Sequence, residues 1–223
     1  MLGVSRTPKA LGAFAVTLIV IALSGCAGAP PPAPRLPASP PPLSQVVVGP
    51  DGIQNLKVGA PVPASTGLVS YGEHTCPSAG GWIVRYPQDT RTSSGQALDP
   101  FDIVTDDASK SGNIAREFVW SKQLRTARGI SVGSSMAAVA AAYPSARLST
   151  SYSTVLYAVA GKTGTLVIEV AGHNANAEGE WPATTLGTVV WMQVIRRGSK
   201  IVSIANNNDA GPCPAKGKVP DDD

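Results

Sequence analysis

Short, nearly continuous apolar runs bounded by turn residues recur through the second half of the chain and predict antiparallel strands. The clearest runs are TVLYAVA at 154–160, TLVIEVA at 165–171 and VVWMQVI at 189–195, all rich in branched and aromatic residues. The sequence GKTG at 161–164 separates the first two runs and predicts a hairpin turn. Further strands are predicted at 82–86, 101–105 and 114–120, with a weaker candidate at 200–205.

One segment of the second half has the spacing of a helix instead. Its apolar residues fall at i, i+3, i+4 and i+7, namely Met136, Val139, Ala140 and Tyr143. Ser134 or Ser135 can cap the N-terminus of this helix, and Pro144 ends it. We therefore expect a short helix with one buried stripe before the strands of this half.

Two sequence patterns occur twice at nearly the same separation. LKVGAPV at 56–62 resembles ISVGSSM at 130–136, at an offset of 74. GNIAREFVW at 112–120 lines up with GTVVWMQVI at 187–195, at an offset of 75. Two anchors at nearly one offset indicate an internal duplication.

The repeat predicts an α+β fold, in which two tandem helix-plus-antiparallel-meander units form a sheet with short helices on one face. The first α+β unit is expected at 46–122 and the second at 123–213. Pro61 and Pro63 weaken the helix of the first unit, which is expected to be short or irregular.

The N-terminal segment has the pattern of an export signal. Arg6 and Lys9 precede 14 uncharged residues at 10–23. A helix of that length spans roughly 21 Å, which is less than the hydrocarbon core of a bilayer. A charged start, a short apolar stretch and small residues at its end are typical of a cleaved signal peptide rather than of a spanning helix.

The sequence LSGC at 23–26 ends this segment and resembles the bacterial lipobox. The resemblance implies that the Cys26 thiol receives a diacylglyceryl group and that cleavage makes Cys26 the new N-terminus. Two acyl chains give stable membrane anchoring where one chain is marginal. The alternative is an ordinary secretory signal, cleaved near Ala27 or Ala29, and a free exported protein.

A proline-rich stretch follows the signal. Eight of the 13 residues at 30–42 are proline, and such a segment favours extended polyproline II, roughly 40 Å long here. The predicted organisation is a signal peptide at 1–25, a lipidated cysteine and spacer at 26–45, the two α+β units, and a polar tail at 214–223. A ligand for a proline-recognising module is the alternative reading of the spacer.

Charge and cysteine content agree with an exported protein that does not bind nucleic acid. The chain has 18 basic and 15 acidic residues, a formal charge of +3, but Arg6 and Lys9 lie in the signal and leave 16 against 15. With Cys26 lipidated, Cys76 and Cys213 are an even pair, and we predict a disulfide between them. Two independent thiols are the alternative.

A family resemblance rests on the repeat and on TARGISVGSSMAAVAAAYPSA at 126–146. This stretch, centred on Gly133, resembles the β-lactamase-inhibitor-protein and SmpA/OmlA-like group and segments of actinobacterial lipoproteins. The resemblance implies an exported protein, often a lipoprotein, with a role in binding or assembly and with no catalytic residues. It does not imply inhibition of β-lactamase, because a shared fold does not carry a shared target.

Sequence patterns for catalysis or metal binding are weak. The chain has no nucleophile elbow, phosphate loop or dinucleotide fingerprint. Glu73, His74 and Cys76 could form a thiol–imidazole or metal site, but the predicted disulfide would occupy the cysteine. NANAEGE at 174–180 opens like a calcium loop and lacks the closing acidic ligand. We therefore expect no metal and no cofactor.

Four aromatic residues on predicted strands form the candidate binding surface, namely Phe118, Trp120, Tyr157 and Trp191. Such residues are favoured at interfaces, and their alternation is compatible with either the core or an open sheet face. The predicted function is a membrane-anchored extracytoplasmic lipoprotein that binds a protein or a cell-envelope component without catalysis. The alternatives are an envelope hydrolase or metal-dependent enzyme with an unrecognised site, and a purely structural envelope protein.

Overall fold

Strands dominate the part of the chain that the computed structural model describes, which is residues 39–72, 81–91, 97–107, 109–151, 153–172 and 181–204. In chain order the strands are β1 (Val47–Gly49), β2 (Gly52–Ile53), β3 (Val69–Tyr71), β4 (Trp82–Val84), β5 (Thr90–Arg91), β6 (Ala97–Leu98), β7 (Phe101–Thr105), β8 (Ile114–Val119), β9 (Arg125–Thr126), β10 (Arg147–Ser151), β11 (Thr154–Ala160), β12 (Gly164–Ala171) and β13 (Val189–Arg196). A 3-10 turn at Leu43–Gln45 and helix α1 at Met136–Ala142 are the helical elements of these residues.

Six strands form the main sheet, in the order β10-β11-β12-β13-β8-β7, and all its neighbours are antiparallel. A smaller sheet of β1, β2 and β9 includes the parallel pair β1–β9. Strands β3 and β4 form a two-stranded ribbon, and β4 lies beside β7. The main sheet therefore combines strands from both predicted units.

The predicted α+β fold is wrong, because the described chain is 41% strand and 7% helical. The helix predicted for the second unit is present as α1, with Ser135 as its cap accepting a hydrogen bond from the N–H of Ala138. No helix forms at the corresponding position of the first unit in the described residues. Pro61 and Pro63 explain this, since proline disfavours helical backbone at the residue before it and lacks an N–H.

The main core lies on one face of the main sheet and is covered mostly by extended chain rather than by helices. Leu166, Ile168, Met192 and other side chains of the sheet point into it. The segment from Leu43 to Val58 covers them with a row of buried apolar residues, namely Leu43, Val46, Val48, Ile53, Leu56 and Val58. Helix α1 contributes one buried residue, Val139.

The same backbone pairing occurs once in each half of the chain. The N–H of Gly59 donates to the carbonyl of Ile114 at 2.7 Å, and the N–H of Gly133 donates to the carbonyl of Val189 at 2.7 Å. Both glycines have left-handed backbone, with φ of 82° and 89°. These pairs join the two sequence patterns of each half, so the repeated sequence corresponds to repeated hydrogen bonding.

The central strand pair relates the two halves. Strands β8 and β13 are antiparallel, and Phe118 lies opposite Gln193, which is 75 positions further along. Because this separation equals the offset of the repeat, residues at equivalent positions of the two halves face each other here. The register is that of a local two-fold axis between Phe118 and Gln193.

Candidate functional site

The candidate site lies on the face of the main sheet that is turned away from the main core. Side chains alternate between the two faces along a strand. Val119 and Val194 point into the main core, whereas Phe118 and Gln193 point the other way. We call the face that carries Phe118 and Gln193 the second face.

Three aromatic rings and a guanidinium meet on the second face, and we call Arg116, Phe118, Trp120 and Trp191 the aromatic cluster. Phe118 stacks on Trp120 with ring centroids 5.5 Å apart, and Trp120 meets Trp191 edge-on at 4.6 Å. The guanidinium carbon of Arg116 lies 5.9 Å from the centroid of the Phe118 ring. Each such contact stabilises by roughly 0.5–1.5 kcal/mol beyond the burial of its area.

Two other segments partly cover the aromatic cluster. Leu98 of β6 and Ile204 near the end of the described chain pack against it. Phe118 and Trp120 retain 4% and 8% exposure, while Trp191 is half-buried. Trp191 is therefore the member of the cluster that is most open to solvent.

Tyr157, the fourth predicted binding residue, lies on the opposite face. It is 6% exposed and packs in the main core. In the sheet register it lies between Leu148 and Ile168, and Ile168 also belongs to the main core. The structure thus brings three of the four predicted residues together and separates Tyr157 from them.

Two buried polar atoms beside the aromatic cluster have no hydrogen-bond partner in the described part of the chain. They are the Nε1 donor of Trp191 and the Oε1 acceptor of Gln193. The other polar atom of the Gln193 side chain, Nε2, donates to the carbonyl of Val202 at 2.7 Å. An unpaired buried polar group costs about 1–3 kcal/mol.

A buried carboxylate holds residues 203–204 across the second face. Glu169 of β12 accepts hydrogen bonds from the Thr154 hydroxyl at 2.9 Å, from the Ser203 hydroxyl, and from the N–H of Ile204 at 2.9 Å. Glu169 is fully buried, and a buried carboxylate is stable only with such partners. We call Glu169, Thr154 and Ser203 the carboxylate clamp.

The second face also carries Asp102 of β7, whose carboxyl group titrates near neutral pH. It lies directly opposite Phe118 in the β7–β8 register. Burial, and then repulsion from Asp99, raise the pKa of Asp102 to about 7, although the N–H of Ile103 donates to it at 2.8 Å. The charge beside the aromatic cluster therefore depends on pH in the neutral range.

A second unusual carboxyl, Glu117 of β8, lies on the main-core side. It is fully buried, and neither carboxyl oxygen has a hydrogen-bond partner among the described residues. Burial raises the pKa of Glu117 to about 8, and the charge of Lys57 counters this only in part. Glu117 is therefore protonated at pH 7 and bears on the stability of the core rather than on the second face.

An open cleft of about 360 Å³ lies beside the turn between β1 and β2, and it is lined by Val47, Gly49, Gly52, Gln54, Asn55 and Lys57. Gln54 has left-handed backbone with φ of 55°. Its N–H donates to the carbonyl of Val47 at 2.8 Å, and its Oε1 accepts from the N–H of Val47 at 3.2 Å. The conformation of Gln54 thus closes this turn and does not by itself indicate a ligand.

Several residues that the sequence singles out lie outside the described residues, namely Cys26, Cys76, Cys213, Glu73, His74 and the segment 174–180. The lipidation, the disulfide and the alternative thiol or calcium chemistry stay predictions. Asp106 is described and forms an ion pair with Arg196 at 3.2 Å, partly exposed to solvent.

Within the ranges that the structure describes, no group of three His, Cys, Asp or Glu side chains is placed to hold a metal ion. The same ranges contain no helix that is long and apolar enough to cross a membrane.

No family model, curated protein or solved structure matches this chain. The resemblance to the β-lactamase-inhibitor-protein and SmpA/OmlA-like group therefore stays a prediction from the sequence.

Proposed function

We propose that this protein is an extracytoplasmic lipoprotein, anchored to the membrane through Cys26, whose β domain binds a protein or a cell-envelope component without catalysis. The LSGC sequence and the apolar segment before it support the anchor. The proline-rich stretch supports a spacer between the membrane and the domain.

The observation that carries the binding role is the composition of the second face. Trp, Tyr, Phe and Arg are enriched at interfaces, and Trp and Arg dominate their binding energy. The aromatic cluster groups two Trp, one Phe and one Arg, with Trp191 partly exposed. Trp191 Nε1 and Gln193 Oε1 also lack hydrogen-bond partners within the described chain. A partner that covered Trp191 would bury an aromatic side chain that Trp120 already contacts edge-on from within the cluster.

The start of the folded chain fits a tethered domain. Leu43 and Val46 are buried in the main core, and the Tyr86 hydroxyl donates to the carbonyl of Pro41 at 2.8 Å. The end of the proline-rich stretch is therefore fixed to the domain. The part of that stretch before Pro41, at about 3.1 Å per residue, is expected to give a reach of roughly 35 Å.

We also propose that the two halves arose by duplication. The support is the hydrogen bond that recurs from Gly59 and from Gly133, together with the pairing of Phe118 with Gln193 at the repeat offset. Binding at the central strand pair would then use a surface built jointly by the two halves.

The anchor is tested by Cys26→Ala in the cell that makes the protein. We expect the variant to lose incorporation of labelled palmitate and to leave the membrane fraction. Cys76→Ala is the control, which should keep both properties because its thiol is not the predicted lipidation site. A Cys26→Ala protein that stays in the membrane fraction would contradict the proposal.

The binding role is tested by crosslinking the full-length protein to its own envelope extract and identifying partners by mass spectrometry. We expect a reproducible partner whose recovery falls at least tenfold with Trp191→Ala and less with Trp191→Phe, which keeps a ring. Val47→Ala is the control. Val47 is an exposed residue of β1, which covers the main core and lies away from the second face. Each variant is first checked for an unchanged unfolding midpoint, and equal recovery with Trp191→Ala and the wild type would contradict the assignment.

A further inference from the structure

The outer edge of β10 is the most exposed strand of the main sheet. No residue of Arg147–Ser151 is buried, and Leu148 retains 59% exposure. Among the described strands β11 is its only neighbour. The pairing with β11 is regular over all five residues, from Arg147 opposite Ala158 to Ser151 opposite Thr154.

An antiparallel edge strand directs the N–H and C=O groups of alternate residues away from the sheet. Folded proteins block such edges with proline, bulges, lysine or charges that point inward. Strand β10 has no proline, no bulge and no lysine, and its single charge, Arg147, is at one end. This edge is therefore open to pairing with another strand.

We propose that β10 pairs with β10 of a second copy of this chain, antiparallel and centred on Ser149, to form a continuous sheet across a dimer. The register follows from the tight connection to β11. Two residues separate Ser151 from Thr154, which makes these two a hydrogen-bonded pair and directs the free N–H and C=O groups of Leu148 and Thr150 outward. A two-fold axis through Ser149 places Leu148 opposite Thr150 of the second copy, so that these outward groups meet.

Charge and side-chain position fit this register. The two Arg147 residues lie at opposite ends of the strand pair, about 13 Å apart, which exceeds the screening length in physiological salt. Leu148 and Thr150 alternate with Ser149, so both copies place Leu148 on the same face of the joined sheet, as diagonal neighbours. Pairing thus covers the most exposed large apolar residue of the described chain.

A second copy fits this edge better than the proline-rich stretch of this chain. The stretch 30–42 has eight prolines in 13 residues, and each proline lacks the N–H that a ladder needs. Strand β10 can instead pair with an identical strand. In the antiparallel pair, the outward N–H and C=O groups of Leu148 meet those of Thr150 of the other copy.

The register is tested by Ser149→Cys in the full-length chain, oxidised mildly and separated on a non-reducing gel. Ser149 faces its counterpart in a non-hydrogen-bonded pair, where Cβ atoms are close enough for a disulfide. We expect at least tenfold more disulfide-linked dimer than with Arg147→Cys, whose two copies are too far apart. The unsubstituted chain gives the background from its own cysteines. Equal crosslinking of the two variants would overturn the proposal, as would an adduct to another protein in place of the dimer.

The association is tested by sedimentation of the full-length protein in detergent. We expect a wild-type dimer and at least a tenfold rise in Kd with Thr150→Pro, which removes an outward N–H and leaves the β11 side intact. Thr150→Ser is the matched control and should keep the wild-type Kd. A wild-type protein that stays monomeric at every concentration would overturn the proposal, and an unchanged unfolding midpoint shows that Thr150→Pro still folds.

Discussion

Asp51 and Thr163, which are 112 positions apart in the chain, are joined by a hydrogen bond of 2.7 Å from the Thr163 N–H to the Asp51 carboxylate. The same oxygen accepts from the N–H of Gly164 at 3.0 Å. Asp51 lies in the turn between β1 and β2, and Thr163 lies in the turn between β11 and β12. One side chain therefore fixes the segment that covers the main core to a hairpin of the main sheet.

Asp51→Ala should lower the free energy of unfolding by about 1–2 kcal/mol, a range discounted for the solvent near this partly exposed group. Asp51→Asn keeps an oxygen acceptor and should lose less. Burial acts to raise the pKa of Asp51, but the hydrogen bonds from Thr163 and Gly164 hold it below its usual value. The ionised Asp51 therefore stabilises the folded protein fully at pH values above its usual pKa. This stabilisation is lost as the pH falls through the lowered pKa that Asp51 has in the folded state. Urea unfolding at pH 7 and pH 3 checks this, and equal stability of Asp51→Ala and wild type at pH 7 would refute it.

Gly164→Ala should destabilise the protein by about 1–3 kcal/mol, the usual range for overpacking a filled site. A Cβ on Gly164 would lie 2.5 Å from the carbonyl oxygen of Pro50 and 2.6 Å from a methyl of Val58. Gly49→Ala is the control, because its Cβ would have its nearest neighbour at 3.6 Å. Thermal unfolding of the two variants checks the difference, and a Gly164→Ala protein as stable as Gly49→Ala would contradict this contact.

Glu117 should make the protein less stable as the pH rises. Its pKa is about 8 in the folded protein, above the usual value of 4.5, so the folded state holds a proton that the unfolded state releases between these values. The stability that this proton contributes is complete below pH 4.5 and lost as the pH rises through 8. Asp102 acts in the same direction but only up to about pH 7. From pH 7 to 8 we expect Glu117 to lower the free energy of unfolding by about 1 kcal/mol and Asp102, half protonated at pH 7, to add about a third of that.

Glu117→Gln removes this titration while keeping the size of the side chain. Urea unfolding at pH 7 and pH 8 should show a fall in stability for the wild type and a fall of about a quarter of that size for Glu117→Gln. Asp102→Asn is the matched control and should keep the fall between pH 7 and 8. A wild-type protein with equal stability at both pH values would show that Glu117 is not protonated in the folded state.

Ser203→Ala should loosen the chain that the carboxylate clamp holds over the second face. Losing one hydrogen bond of about 1 kcal/mol raises the opened population about fivefold. Limited trypsin cleavage after Lys200 should therefore be about fivefold faster. Ser199→Ala, four residues earlier and outside the clamp, should leave the cleavage rate unchanged. Equal rates for the two variants would show that Ser203 does not hold this segment.

Five of the six strands of the main sheet were predicted because their signal is local, whereas β10, whose residues are mostly polar, was not. Phe101–Thr105 and Thr154–Ala160 form as predicted, and α1 begins where the helical spacing starts. The short strands β1, β2 and β9 were not predicted, because two or three residues show no alternation and Val47 pairs with Arg125, far away in sequence. Such distant segments also decide which face of the sheet becomes the main core. The sequence of β11 alone therefore does not show that Tyr157 is a core residue.

The two buried glutamates were missed for a related reason. A charged residue in a strand usually marks its solvent face, yet Glu117 and Glu169 are both fully buried. The sequence does contain a signal, since TLVIEVA at 165–171 is apolar on both sides of its glutamate. One partner of Glu169, Ser203, lies in a segment that was predicted as a strand at 200–205. Residues 200–204 instead cross the sheet without forming a strand.

The ribbon of β3 and β4 gives the sheet two unlike ends. At the β7 end this ribbon lies alongside, whereas β10 has no strand beyond it among the described residues. A sheet with two open ends can add copies at both and grow into a fibre. In the proposed dimer each β10 is covered by the β10 of the other copy, so this edge is used up by the first association and offers no site for a third copy.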